Sequence, residues 1–133
     1  MTRVYSPPRR RILLADDDLA VQRVVKRVAE QCGHELIQVT EGAAVVTVAV
    51  LARPDVIVLD LEFPDADGRD VLARLKDDRR TANIPVVIWS GRPGHDSDSQ
   101  ISLELGAEDY VEKTNAQLLV RKLDRLMLRF SAA

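Results

Sequence analysis

A chain of 133 residues, 46% hydrophobic and 30% charged, has the size and balance of one globular domain. No apolar run approaches the ~20 residues of a membrane-spanning helix, and no basic-then-apolar leader opens the chain, so a cytoplasmic protein without membrane contact is expected. One cysteine (Cys32) and two histidines (His34, His95) exclude a disulfide framework and a multi-thiolate metal centre. Residues 1–11 hold Arg3, Arg9, Arg10 and Arg11 and no acid, whereas the remaining residues carry 15 basic and 21 acidic side chains. Residues 1–9, with Ser6-Pro7-Pro8, are expected to form a flexible basic arm ahead of a domain over 10–131. An acidic body predicts no direct DNA binding, because each phosphate contact needs a cation.

Short β-branched runs alternate with helical stretches. Ile12 to Ala15 reads as a strand, and the apolar spacing of Leu19, Val21, Val24, Val25, Val28 and Ala29 as a helix capped by Asp18 and stopped at Gly33. Glu35 to Val39 follows as a strand, then a valine-rich helix from Ala43 to Leu51 that ends before Pro54. Val56 to Leu59 is apolar on every residue, the pattern of a strand buried on both faces. A loop with Pro64 and Gly68 leads into a helix through Val71, Leu72 and Leu75. Val86 to Trp89 is a fourth strand, and Ser90 to Gln100 a polar loop that can end in a frayed helix start, continued as a short helix from Ile101 to Leu105. Glu108 to Glu112 and Ala116 to Phe130 complete the chain as strand and helix. This alternation implies right-handed βαβ crossovers and a three-layer α/β sandwich around a parallel sheet.

In such sheets ligands bind beyond the carboxyl ends of the strands. Strand one ends at Asp16-Asp17, strand three at Asp60, strand four at Ser90, and strand five runs to Lys113. Gathered at one edge, three carboxylates repel one another unless a cation compensates. An all-oxygen ligand set favours Mg²⁺, which leaves positions for phosphate oxygens. Asp60 is then placed to attack a phosphoryl group as nucleophile, with Lys113 and the metal neutralising the transferring oxygens. Each residue alone also fits a cap or a surface charge; their joint placement carries the reading.

These residues resemble the receiver domain of two-component response regulators over about 10–131. Ile12-Leu13-Leu14-Ala15-Asp16-Asp17-Asp18 is similar to the opening strand and acidic pair, and Val58 to Gly68 to the phosphoacceptor strand with its D-x-x-x-P-x-x-D-G loop. Ile88-Trp89-Ser90-Gly91 and Asp109-Tyr110-Val111-Glu112-Lys113 resemble the last two strands. The resemblance implies a doubly wound, flavodoxin-like (βα)5 fold with strand order 2-1-3-4-5. It implies that Asp60 accepts phosphate from a sensor histidine kinase or histidine phosphotransfer protein. Asp17 would bind Mg²⁺ directly and Asp16 chiefly through water, with Asp60 and the backbone carbonyl of Glu62 completing the set. Ser90 would hold the phosphoryl group and Tyr110 would turn inward as Ser90 moves. A downstream protein would read the face of helix four, strand five and helix five, where exposed Leu118 and Leu128 suit a partner or a homodimer.

Thr114 replaces the proline usual after the lysine, so a trans Lys113–Thr114 bond is expected. Glu62 and Arg92 occupy positions that tune dephosphorylation in the family, and a Glu62–Arg92 pair across the site mouth is one expectation; two solvated charges are the other. Cys32 reads as a packing residue, Trp89 as core, and His34 and His95 as ordinary. The Met1 start and the end soon after helix five favour a stand-alone regulator that modifies only itself. The alternatives are a phosphate-independent interaction module and a Mg²⁺-dependent aspartyl phosphohydrolase.

Overall fold

The computed structural model describes residues 9–91 and 96–131, with backbone alone at 96–98, 130 and 131. Five strands, β1 (Arg11–Ala15), β2 (Glu35–Val39), β3 (Val56–Leu59), β4 (Val86–Ser90) and β5 (Asp109–Glu112), form one all-parallel sheet of order β2-β1-β3-β4-β5. The helices are α1 (Leu19–Gln31), α2 (Val45–Ala52), α3 (Gly68–Asp77), α4 (Asp96–Glu104) and α5 (Ala116–Ser131). The expected class, layers and strand order are those observed. Strand order reverses between β1 and β3, so the Asp16-Asp17 and Asp60 strand ends are neighbours.

Side chains alternate across the sheet and build two cores. Ile12, Leu14, Val58 and Trp89 face Val25 and Ala29 of α1 and Leu119, Leu123 and Met127 of α5. Leu13, Ile57, Leu59 and Ile88 face α2 and α3 through Val45, Ala49, Leu72 and Leu75. Each such side chain, fully buried, contributes roughly 1.5–3 kcal/mol. On α5, Leu118 and Leu128 are exposed and Leu119, Leu123, Leu126 and Met127 buried, as the helical spacing predicts. Val120 of α5 is buried as well, unforeseen, and the Phe130 side chain lies outside the described residues.

Asp18 caps α1, its carboxylate accepting from the Ala20 and Val21 N–H groups. Asp67 caps α3 by accepting from Arg69, and Asn115 caps α5 by accepting from Gln117 and Leu118. The valine-rich helix is not continuous from Ala43. A 3₁₀ turn over Gly42–Ala44 precedes α2, because Asp65 accepts from Gly42 and Ala43 at 3.0 Å and pins that turn to the loop after β3. Those two backbone donors hold the Asp65 carboxyl below its usual value of 3.8.

Three expectations need correction. The helix expected in full only from Ile101 already begins at Asp96, where α4 starts, so the helical part of the polar stretch is 96–100. Cys32 is exposed rather than packed, at the C-cap of α1, its backbone N–H closing the last turn onto Val28 and Ala29. His34 is not ordinary. It is 4% exposed, its Nδ1 accepts from the Arg10 N–H at 3.3 Å, and its Nε2 lies 2.5 Å from Asp124 of α5. With Nδ1 accepting, the ring proton sits on Nε2 and Asp124 receives it. His95 and Arg92 lie outside the described residues, as do residues 1–8 of the expected arm. Among the described residues every peptide bond is trans, Lys113–Thr114 included, as expected. No described helix is long and apolar enough to cross a membrane.

Replacing Asp124 with alanine leaves the buried His34 Nε2–H without its acceptor. A loss of about 1–3 kcal/mol is expected in urea unfolding, and an Asp124→Ala protein as stable as its parent would count against this tie.

Candidate functional site

Backbone geometry assembles the acidic edge. The chain leaves β1 at Asp16, whose N–H donates to the Val39 carbonyl at the end of β2, and leaves β3 at Asp60, whose N–H donates to the Ala15 carbonyl. Neighbouring parallel strands thus deliver both carboxylates to one place. Asp16 is fully buried, Asp60 is 7% exposed and Asp17 is open to solvent. One oxygen from each of Asp16, Asp17 and Asp60 lies within 4.8 Å of the others.

Lys113 crosses from the far edge to meet them. Its Nζ lies 2.6 Å from Asp16 Oδ2 and donates to Asp60 Oδ2 at 3.0 Å. Its backbone N–H donates to the Ser90 carbonyl at 2.8 Å, so the end of β4 aims it. Asp16 Oδ1 accepts from the Asp18 N–H, and Asp60 Oδ1 from the Glu62 N–H. Oδ2 of Asp16 is held by the Lys113 ammonium alone, so this buried oxygen keeps lone pairs to spare. Burial raises the Asp16 carboxyl above its usual 3.8, and Lys113 and the Asp18 N–H offset this only in part. Burial alone would lower Lys113, but its bonds to Asp16 and Asp60 outweigh it and the ammonium is held above 10.5.

A hard divalent cation fits this set: three carboxylates, no nitrogen or sulfur donor, and an undersatisfied buried oxygen. Glu62 lies on the loop after β3 with its side chain exposed and its strand-like pairing to Asp67 closing that loop. Ser90 is buried at the end of β4. Tyr110 is half-buried and already turned in: it packs on the α2–α3 core with its hydroxyl buried and without a partner. The Glu62–Arg92 pairing falls on a residue outside the description.

Two supporting residues were not singled out from the sequence. Gln22 of α1 is 1% exposed, and its Nε2 donates to the carbonyls of Leu14, Asp16 and Val39 at 3.0, 3.0 and 3.2 Å. It ties the β1 and β2 ends together beneath Asp16. Its position among the apolar residues of the α1 core face was the available signal. Gly68 opens α3 against the phosphoacceptor strand: a Cβ there would lie 2.3 Å from the Asp60 carbonyl oxygen and 2.5 Å from Leu61 Cα. Its N–H donates to the Leu61 carbonyl, so only glycine lets the loop close on Asp60.

Substituting Gln22 by methionine keeps the volume and deletes the donors. Stability is expected to fall by about 1–3 kcal/mol and Mg²⁺ affinity by about 10–100-fold, read by urea unfolding and by Mg²⁺ titration of Trp89 fluorescence. The raised Asp16 carboxyl gives a second expectation. A group whose folded value exceeds its unfolded one contributes stability that is complete below the unfolded 3.8 and is lost as pH rises through the folded value. Metal-free Asp16→Asn protein should therefore melt higher than its parent at neutral pH, with the difference shrinking as pH falls through the raised folded value and levelling off by about 4. A pH-independent difference would contradict it.

The response regulator receiver domain family matches residues 12–124. The DNA-binding dual master transcriptional regulator RpaA of Synechocystis is 36% identical over 124 residues, covering 87% of this chain and 51% of RpaA. Among solved structures, the Mn²⁺-bound form of the response regulator Rcp1 is 31% identical, with a TM-score of 0.72 over 93% of this chain and 96% of that one. The phosphorylated cyanobacterial phytochrome response regulator RcpA is 28% identical, with a TM-score of 0.78 over 95% of this chain and 97% of that one. The chain spans about half the length of the curated relatives it matches. The expectation of no direct DNA binding is overturned, since those relatives are transcriptional regulators and RpaA is named as DNA-binding. It rested on the charge summed over the body, which says nothing of how charge is distributed or of what a longer relative adds. With its family matched over residues 12–124 and its acidic edge assembled at the strand ends, the chain belongs to the response regulator receiver domains of two-component systems.

Proposed function

We propose that this receiver domain is a phosphorylation-dependent switch in which Asp60 takes a phosphoryl group from a phosphohistidine on a sensor kinase or phosphotransfer protein. The observation that carries the reading is the Lys113 ammonium held between Asp16 and Asp60, at 2.6 and 3.0 Å, beside a three-carboxylate cluster. A carboxylate oxygen of Asp60 attacks phosphorus, forming the acyl phosphate. The P–N bond breaks, and its electron pair returns to the donor imidazole. No general base is needed, because a carboxylate is already ionised at neutral pH.

Asp16, Asp17 and Asp60 would hold Mg²⁺, with the Glu62 carbonyl as a further ligand, and the ion would supply charge neutralisation for the phosphoryl oxygens. The Mn²⁺-bound form of Rcp1 supports this assignment by likeness. Lys113 neutralises a transferring oxygen from a fixed position, and Ser90, at the buried end of β4, donates to another. The new dianion draws on both, and that pull is the free energy that shifts the β4 and β5 ends and Tyr110 between them. The domain turns over no external substrate on this reading; it catalyses only its own phosphorylation and hydrolysis, in the cytoplasm.

Intact-mass measurement after incubation with Mg²⁺ and a small phosphodonor tests it. One phosphoryl adduct is expected on the parent, and none on Asp60→Ala or in chelator. A folded parent that takes no phosphate from any of several donors would refute the reading.

A further inference from the structure

The charge of the molecule is segregated by layer. On α1 and α5, which pack against each other on one side of the sheet, seven of the nine charged side chains are cations. The rest of the chain carries 12 cations against 19 acids. The two acids on these helices are both engaged: Glu30 lies 3.9 Å from Lys26, and Asp124 is bound to His34. Arg23 and Arg27 of α1 and Arg121, Lys122, Arg125 and Arg129 of α5 are exposed, and among the described residues none has an ion-pair partner.

Helical geometry gathers them. At about 100° per residue, Arg121, Arg125 and Arg129 fall within about 80° of one another, opposite Leu119 and Leu123, and run about 12 Å along the axis. Arg23 and Arg27 stand about 40° apart, opposite Val25. Packed helices lie about 8–10 Å apart, so the two arginine rows run side by side.

We propose that the outer face of α1 and α5 is a docking surface for the phosphate backbone of duplex nucleic acid. A polyanion needs only cations in rows, and arginine's planar fork suits phosphate oxygens. The alternatives fit less well. A protein interface has an apolar centre with few charges, whereas the exposed large apolar residues described on these helices, Leu19, Val24, Leu118 and Leu128, stand singly among the arginines. Insertion into a bilayer needs an apolar helix face, and that of α5 is already buried in the core. Among the described side chains of the two helices there is also no aromatic to stack on single-stranded bases. Two helices abreast are about 20 Å wide, too wide for the ~12 Å major groove. Contact is therefore with the backbone and independent of sequence.

Fluorescence anisotropy of a labelled 20-base-pair duplex of arbitrary sequence, titrated with the full chain from about 25 to 200 mM KCl, tests this. Counterion release of about 0.9 per phosphate contact predicts a log–log salt slope of about −3.6 to −5.4 for four to six contacts. The double variant Arg121→Glu/Arg125→Glu should lose at least tenfold in affinity at low salt. Arg74→Glu/Arg79→Glu, which changes net charge equally on the α3 side, should stay within about twofold, with both variants folded by circular dichroism. The proposal is overturned by absence of binding at 25 mM KCl, or by equal losses in the two variants. It is equally overturned if phosphatidylserine vesicles or polyglutamate bind as tightly as the duplex through the same arginines.

Discussion

The site depends on one cation reaching across a strand. Asp16 and Asp60 end adjacent strands, but Lys113 follows β5, which is separated from β3 by β4. A four-carbon stem spans that gap, and the backbone bond from Lys113 N–H to the Ser90 carbonyl fixes where the stem begins. The ammonium thus ties β1, β3 and β5 at a single point and rests on β4 to do so. Phosphorylation of Asp60 would place new negative charge at the centre of this tie, so every strand that the tie joins registers the change.

The site is also costly to the fold. Asp16 is fully buried and its carboxyl is pushed upward by burial, which the neighbouring ammonium does not fully counter. A fold selected for stability alone would fill this position with an apolar or neutral residue. Two features stabilise the strained edge from beneath. Gln22 donates to the carbonyls at the ends of β1 and β2, and Gly68 lets α3 begin against the backbone of Asp60 and Leu61. Both act on the backbone that carries the acids rather than on the acids themselves. The geometry is therefore set before a cation or phosphoryl group arrives.

What could be read from the sequence follows from range. Val56 to Leu59 and Val86 to Trp89 are legible as buried strands because a continuous apolar run has no other soluble placement, and a parallel sheet then brings Asp16, Asp60, Ser90 and Lys113 to one edge. The start of α4 was only partly legible, because Asp96 to Ser99 favours a loop by composition while the helix runs on into it from Ile101. The His34–Asp124 bond joins residues 90 apart, and no local pattern announces such a partner. Cys32 was misread because the α1 periodicity carries no information on which face continues past the helix end. Charge was misread for a related reason: a sum over residues discards the layer on which each one lies.

That layering bears on why Lys113 is needed at all. Among the described residues six cations on α1 and α5 have no ion pair, yet Asp16 is offset by Lys113 and by no other described cation. Exposed charges farther than about 8 Å are screened at physiological salt, so the arginine rows cannot compensate a buried carboxylate at the sheet edge. Compensation there must come from a cation inside the desolvated pocket, either the lysine or a metal ion. The same screening separates the two halves of the molecule in function. An anion bound along the arginine rows would change the acidic edge only by moving α1, and through α1 the Gln22 amide that holds the Asp16 carbonyl.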